Sequence, residues 1–127
     1  VELALACDVR VATPDATFAE SGVGHGLFGA WGGTARLPEI VGAGVAQDVA
    51  LSGRVLDAPE ALRMGLVSRV VDEPREVARE IAAHDGDAVR TIARLVRDRS
   101  PQDLAEEHEA KAFARLIDDF EPSKRKG

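Results

Sequence analysis

The sequence feature that most limits how this chain folds is a glycine-rich segment that runs from Ser21 to Gly33. Half of the chain's 12 glycines lie within these 13 residues. Such a density indicates a backbone that adopts dihedral angles unfavourable for other residues, or one that another group approaches closely. The segment is therefore the first place in the sequence to examine for a binding or catalytic site.

Three kinds of anion site are compatible with a glycine-rich segment. The sequence excludes one of them, disfavours the second and is compatible with the third. A nucleotide P-loop is excluded because the chain has no lysine before Lys111. Residues 24–29, GHGLFG, match the Gly-x-Gly-x-x-Gly string of dinucleotide sites, but the continuation Ala30-Trp31-Gly32-Gly33 disfavours a helix. Where Gly32-Gly33-Thr34 enters the next predicted helix, backbone amides alone form a cradle for an anion or oxyanion. A packing turn without a ligand is the alternative.

Composition and charge narrow the class of protein. The 127 residues, 45% apolar and 30% charged, fit one folded domain. No apolar run approaches the roughly 20 residues of a membrane helix, and the net charge of −6 disfavours a nucleic-acid partner. Cys7 is the only cysteine, which excludes an internal disulfide and a Cys-cluster zinc site, and the histidines lack metal-ligand spacing. We therefore expect a cytoplasmic protein with no metal, membrane or nucleic-acid partner.

The pattern of apolar residues predicts short strands early in the chain. Alternation over 9–12 and again over 16–19 predicts two strands joined by a turn at Pro14-Asp15. Residues 34–41 predict a short helix that Pro38 interrupts. A second helix follows, in which Val45, Ala46, Val49 and Ala50 share one face.

The rest of the chain is predicted to be mainly helical. Asp57 and Glu60 predict a capped helix over 58–64 that stops at Gly65, followed by a buried strand over 66–71. Three amphipathic helices then follow, with inward faces at Val77, Ala78 and Ile81, at Val89, Ile92, Ala93 and Val96, and at Phe113, Leu116, Ile117 and Phe120. We divide the chain into a core over 1–71 and a helical region over 72–127.

Polar side chains near the glycines are the candidates for chemistry, although composition alone assigns them no role. Glu2 has the profile of a solvated charge, and Glu20 ends the second strand just before the glycines. His25 has no acidic residue within three positions to orient it, which favours a role in pocket shape over one as a base. The stripe of Arg90, Arg94 and Arg97 is either a solvated helix face or a contact for a nucleotide phosphate.

Three motifs together resemble the crotonase superfamily, the enoyl-CoA hydratase/isomerase family. The opening VELALACDVRVA is similar to that family's Gly-Gly-Gly-x-Glu-Leu-Ala-x-x-Cys-Asp signature without its glycines. Residues 24–28, GHGLF, and 32–38, GGTARLP, are similar to the next motif, and residues 51–71 to a third. The resemblance covers about residues 1–100. It implies the C-terminal portion of an α/β, crotonase-like fold, with short strands followed by a helical trimerisation region.

The resemblance implies a reaction on acyl-CoA thioesters. Members of the family stabilise a thioester enolate with two backbone amides, while acidic side chains move protons at the α and β carbons. Glu2 corresponds to the first hydratase glutamate. The second corresponds to Gly22, and Glu20, two residues earlier on the same side of an extended chain, is the candidate replacement. The loop from Gly22 would line the acyl pocket, shaped by His25, Phe28 and Trp31.

The resemblance also sets limits and leaves alternatives open. Both oxyanion-hole amides would precede Val1, so the chain is expected to be part of a longer protein and inactive alone. No cofactor is expected beyond the coenzyme A of the substrate, and late helices would build a homotrimer or hexamer. Gly29-Ala30 replace the acidic residues of hydrolase, dehalogenase and dienoyl-isomerase members. Another crotonase reaction, such as decarboxylation or C–C cleavage, and a non-catalytic family member remain open.

Overall fold

The computed structural model of the chain describes residues 1–119, in which helices and short strands alternate before a run of helices. This order gives the α/β class that the sequence predicts. The chain forms two compact units, the first Val1–Glu76 and the second beginning at Val77. The elements are α1 (Glu2–Leu5), β1 (Val11–Ala12), β2 (Thr17–Ala19), a 3₁₀ helix (Ser21–His25), α2 (Gly33–Val41), α3 (Ala43–Ser52), β3 (Val55–Asp57), α4 (Ala58–Arg63), β4 (Arg69–Val70), α5 (Pro74–Ala82), α6 (Gly86–Arg97) and α7 (Gln102–Asp118).

The strands of residues 1–119 form two separate two-stranded sheets. Strand β1 pairs with β4 in parallel, and β2 pairs with β3 antiparallel, with Phe18 opposite Leu56. The predicted turn at Pro14-Asp15 is present, and the N–H of Ala16 donates to the carbonyl of Thr13 at 3.1 Å. The two strands that this turn joins are not partners of each other. A local signal therefore predicts the turn, whereas the pairing depends on strands more distant in the sequence.

The core of the first unit is built from small and medium-sized aliphatic side chains. Leu56, Leu66 and Val67 are its largest fully buried members. The predicted strand over 66–71 is wrong in its first two residues: the strand is Arg69–Val70, and the flanking N–H groups of Ser68 and Val71 donate to the carbonyls of Arg10 and Ala12. The N–H groups of Leu66 and Val67 both donate to the carbonyl of Ala61, at 2.9 and 3.2 Å. These two residues thus close helix α4 before β4 begins.

Two predictions about helix ends have different outcomes. The capped start of α4 is confirmed, since Asp57 Oδ1 accepts a hydrogen bond from the N–H of Glu60 at 2.8 Å and Gly65 has a φ of +80°. The interruption at Pro38 is wrong, because α2 continues through it to Val41. Proline removes one donor from the helix, but the carbonyl of Pro38 still accepts from the N–H of Gly42 at 2.9 Å.

The predicted late helices are present, but their apolar faces are not all buried. In α5, Val77 is buried whereas Ala78, predicted to face inward, is exposed. In α6 the buried residue is Thr91, while Ile92 and Val96 are exposed. In α7, Ala112 is buried and Phe113 and Ile117 are exposed; Phe120 lies outside the described residues. The spacing therefore predicts helix formation correctly but not which side is covered.

No helix within residues 1–119 combines the length and the apolar character that crossing a bilayer requires.

Candidate functional site

The side chain of Glu2 reaches into the glycine-rich segment. It leaves the first turn of α1, and its Oε1 accepts hydrogen bonds from the N–H groups of Trp31 at 2.8 Å and Gly33 at 3.2 Å. Gly33 is the first residue of α2, so these donors include a free amide of a helix N-terminus. The amide cradle that the sequence predicts at Gly32-Gly33-Thr34 is present only in part: Gly33 and the upstream Trp31 donate to a carboxyl group of the same chain, whereas the N–H of Thr34 donates to the carbonyl of Gly29 at 3.3 Å.

Glycine is favoured where this cradle meets Glu2. A Cβ on Gly33 would lie 3.1 Å from Oε1 and 3.2 Å from Cγ of Glu2, which is closer than ordinary contact. Gly32 has a φ of +98°, a left-handed conformation that favours glycine. The Gly-Gly pair therefore permits both the turn and the close approach of the carboxyl group.

A second carboxyl group, that of Glu20, converges on the same place. The position that a Cβ on Gly29 would occupy lies 2.8 Å from Oε2 of Glu20 and 3.0 Å from Oε1 of Glu2. The two oxygens are thus at most about 6 Å apart, a separation at which one carboxylate perturbs the ionisation of another. Strand β2 ends just before Glu20, and α1 begins at Glu2, so these two short elements bring the pair together.

The surroundings of Glu20 favour its neutral form. Its partial burial raises its pKa above the ordinary value of 4.5, and the negative charge of Glu2 raises it further. The two carboxyl groups thus differ in environment, since Glu2 accepts hydrogen bonds from two amides whereas Glu20 is held against a carboxylate. Such a difference is typical of carboxyl pairs that divide acid and base work.

A side chain at Gly22 would meet tightly packed backbone. A Cβ there would lie 3.1 Å from the carbonyl carbon and oxygen of Leu27 and 3.2 Å from Cα of Phe28. The contact is held by the N–H of Leu27, which donates to the carbonyl of Gly22 at 2.9 Å, and by the left-handed Gly26. Backbone therefore fills the place where the resemblance puts a second glutamate, and Glu20 brings a carboxyl group close to Glu2 instead.

A cavity of about 350 Å³ opens beside these residues within the first unit. Its wall is mostly apolar, with Leu37 and Ala46 among the contributors, and Glu20 is its acidic residue. Gly29 and Gly33, against which the Oε1 of Glu2 lies, also line it. The arrangement can hold an apolar group next to two carboxyl groups.

The predicted site residues are only partly brought together. Glu20, Gly22 and Phe28 line the cavity, and Glu2 lies at its edge. The side chains of His25 and Trp31 do not line it; that of Trp31 is 86% exposed, and its contribution to the site is its backbone N–H.

The sequence patterns assign Gly29 and Arg36 no separate role, although a Cβ on Gly29 would meet both carboxyl groups and Nη1 of Arg36 donates to the Trp31 carbonyl at 3.0 Å. Their roles depend on contacts with residues that are distant in the sequence or with a backbone turn, which spacing does not reveal. Within residues 1–119, no group of three or more His, Cys, Asp or Glu side chains is arranged to hold a metal ion.

Comparison with known proteins finds a matching family and similar proteins. The model of the enoyl-CoA hydratase/isomerase family matches residues 1–124. A crotonyl-CoA hydratase of Syntrophomonas wolfei is 46% identical over 66 residues, which is 52% of this chain and 25% of that enzyme. A short-chain-enoyl-CoA hydratase of Clostridium acetobutylicum is 42% identical over a segment of the same length.

Solved structures agree with this match over a longer part of the chain. An enoyl-CoA hydratase from Thermoplasma volcanium superposes with a TM-score of 0.88 at 32% identity, covering 99% of this chain and 54% of the other. One from Bacillus anthracis gives 0.83 at 30% identity, covering 89% and 47%. The chain thus spans about half the length of these solved chains, and the matched segments span a quarter of the two curated relatives.

Proposed function

The chain belongs to the enoyl-CoA hydratase/isomerase family and has the α/β crotonase fold, and from this premise we propose that the full-length protein adds water to 2-enoyl-CoA thioesters. The observation that carries the proposal is the carboxyl pair of Glu2 and Glu20, which converge on Gly29 beside a mostly apolar cavity. Coenzyme A enters only as part of the substrate, and the protein itself needs no cofactor.

The chemistry follows from the geometry of the pair. In hydration, a water oxygen forms a bond to the β carbon of the enoyl group while one carboxylate accepts the proton that this water loses. The electron pair of the double bond passes to the thioester as an enolate, and a proton from a carboxylic acid then completes the α carbon. Glu2, which accepts two hydrogen bonds, fits the base, and Glu20, with its raised pKa, fits the acid.

The proposal gives the remaining predicted residues a role in binding. Gly22 and Phe28 line the cavity that would take the acyl group, and Trp31 contributes the backbone N–H that bonds Glu2. The enolate oxygen needs two further amide donors, which the resemblance places ahead of Val1. For this reason residues 1–127 alone are not expected to turn over substrate.

Assembly and location are part of the same proposal. The exposed Phe113 and Ile117 on α7 support a homotrimer, or a hexamer made of two trimers, built through the late helices. The exposed lone thiol of Cys7 fits a reducing, cytoplasmic setting. Sedimentation of the full-length protein tests the assembly: Phe113→Asp should lower the mass toward that of one chain, and an unchanged mass would reject this interface.

The experiment that tests the proposal measures hydration of crotonyl-CoA by the full-length protein and by its Glu2→Gln variant. We expect Glu2→Gln to lower kcat by about 10²- to 10⁴-fold, the usual contribution of a general acid or base. Glu76→Gln, the same change at an exposed position in the first turn of α5, is the matched control and should retain the wild-type rate. Absence of hydration by the wild type would reject the proposal.

Two alternatives make different predictions in the same assays. A decarboxylase or C–C lyase of the superfamily needs the enolate-stabilising amides but not two carboxyl groups, so hydration that depends on Glu2 would exclude it. A non-catalytic family member would bind no acyl-CoA by calorimetry. The carboxyl pair favours hydration over both, because neither alternative requires Glu20 to lie beside Glu2.

A further inference from the structure

Arg36 contacts the turn that holds Glu2 but does not contact Glu2 itself. We propose that Arg36 is a positioning residue for the Glu2 carboxyl group: its guanidinium group holds the Trp31–Gly32 peptide group, which lies between the two peptide groups whose N–H groups donate to Glu2. The effect on rate rests on the proposed function, whereas the effect on the two donors does not.

Two hydrogen bonds from Arg36 fix consecutive peptide groups. Its Nη1 donates to the carbonyl of Trp31 at 3.0 Å, and its backbone N–H donates to the carbonyl of Gly32 at 2.8 Å. The second of these peptide groups carries the N–H of Gly33, which donates to Glu2. Both ends of that peptide group are therefore bonded, one to Arg36 and the other to Glu2.

The steric fit at Gly32 supports the same role. A Cβ on Gly32 would overlap Nη1 of Arg36 and lie 2.8 Å from its Cζ, so the guanidinium group lies directly against the α carbon of Gly32. Gly32 has the left-handed φ of +98° that turns the chain into α2. The planar guanidinium group thus covers the turn at the residue where its backbone is least constrained.

Arg36 acts through the backbone rather than through its charge. In the part of the chain that the structure describes, it forms no ion pair with Glu2 or Glu20. Replacing this side chain therefore leaves both carboxyl groups and the backbone hydrogen bond to Gly32 in place, but it removes the bond that holds the Trp31 carbonyl in the turn. Loss of orientation lowers the rate of the chemical step more than it weakens substrate binding.

The kinetic test uses Arg36→Met in the full-length protein. We expect kcat for crotonyl-CoA hydration to fall by about 100-fold, the cost of a small misplacement, while KM stays unchanged. Arg36→Lys should recover part of kcat, because an ammonium group still supplies a donor to the Trp31 carbonyl. Arg54→Met is the matched control: it removes an arginine bonded to Asp48 and Glu60 and should leave kcat unchanged.

A double-mutant cycle distinguishes positioning from a general loss of structure. In a Glu2→Gln background, Arg36→Met should lower kcat little further, since the group that it positions no longer transfers a proton. An equal loss from Arg36→Met in both backgrounds would overturn the inference, as would a raised KM with unchanged kcat.

A spectroscopic readout tests the inference without relying on activity. In ¹H–¹⁵N spectra of the full-length protein, Glu2→Gln should move the amide proton resonances of Trp31 and Gly33 upfield, because a charge-assisted hydrogen bond is lost. Arg36→Met should move the same two resonances in the same direction, and Arg54→Met should not. Unmoved resonances in Arg36→Met would overturn the inference. A wild type without hydratase activity would reject the proposed function alone.

Discussion

The two compact units of the chain differ in the size of the apolar core that each one buries. In Val1–Glu76, Leu56 and Leu66 are 1% and 2% exposed, whereas from Val77 onward Ile92 and Phe113 are 60% and 65% exposed. The first unit closes an aliphatic core and also holds two carboxyl groups at a cavity. The second forms amphipathic helices whose apolar faces remain largely exposed.

This difference indicates which interactions stabilise each unit. The polar groups of the first unit have partners of their own, as the two N–H donors to Glu2 show. In the second unit the side chain of Asp85 caps helix α6, but little of the apolar surface of the helices is removed from water. Since burial supplies most of the stability of helices in proteins, the second unit gains less from its own packing than the first.

The largest expected effect is a loss of stability, which we compare for one aliphatic side chain shortened to alanine in each unit. Leu56→Ala should lower the free energy of unfolding of the full-length protein by about 2–5 kcal/mol, because it removes buried methyl groups and leaves a cavity. Ile92→Ala should lower it by less than about 1 kcal/mol, since that side chain is already exposed. Chemical denaturation measures both. Equal losses would break the comparison and would mean that another surface covers α6.

The next effect concerns the glycine-rich segment. Gly29→Ala should lower kcat for hydration by about 100-fold, because its methyl group would press against both carboxyl oxygens and the α carbon of Gly33. Gly24→Ala is the matched control, since a Cβ there meets no atom within 4 Å. Steady-state kinetics of the two variants checks this. Similar rates would contradict the convergence of Glu2 and Glu20 on Gly29.

These two comparisons also show which structural features can be predicted from the sequence. Periodicity and capping signals predict most helices and the turn at Pro14-Asp15, because those features depend on residues close in the chain. Strand pairing joins segments that are distant in the sequence, and local patterns predict neither it nor the continuation of α2 through Pro38 nor the exposure of Ile92.

In the candidate site, too, features local in the sequence were predictable and contacts between distant residues were not. The Gly33 donor of the amide cradle was predictable from the local pattern, the Trp31 donor was not, and the resemblance supplied Glu2. That Glu2 itself occupies the cradle was not predictable, because it joins residues about 30 positions apart. The backbone packed on Gly22 is likewise visible only in three dimensions.

The smallest effects are changes of stability with pH, and they have opposite signs in the two units. The pKa of Glu20 is raised, so the stability that its neutral form provides is present below 4.5 and is lost as pH rises through the raised pKa. Glu20→Gln should therefore increase the free energy of unfolding at pH 7, by less than about 1 kcal/mol, and have no effect below pH 4.

In the second unit, hydrogen bonds from His108 and then Ser100 hold the pKa of Asp98 well below 3.8. The stability that ionised Asp98 provides is present above 3.8 and is lost as pH falls through the lowered pKa. Asp98→Asn should decrease stability at pH 7 and lose this effect in acid. Thermal unfolding across pH checks both variants. Effects of the same sign would contradict the account of these two carboxyl groups.

The central claim is that Glu2 and Glu20 act as one proton-transferring pair, and a double-mutant cycle on crotonyl-CoA hydration by the full-length protein tests it most directly. Glu2→Gln and Glu20→Gln should each lower kcat by about 10²- to 10⁴-fold, and the double variant should be little slower than the slower single variant, since either loss disables the same step. A Glu20→Gln variant with the wild-type rate, or losses that multiply in the double variant, would contradict the claim.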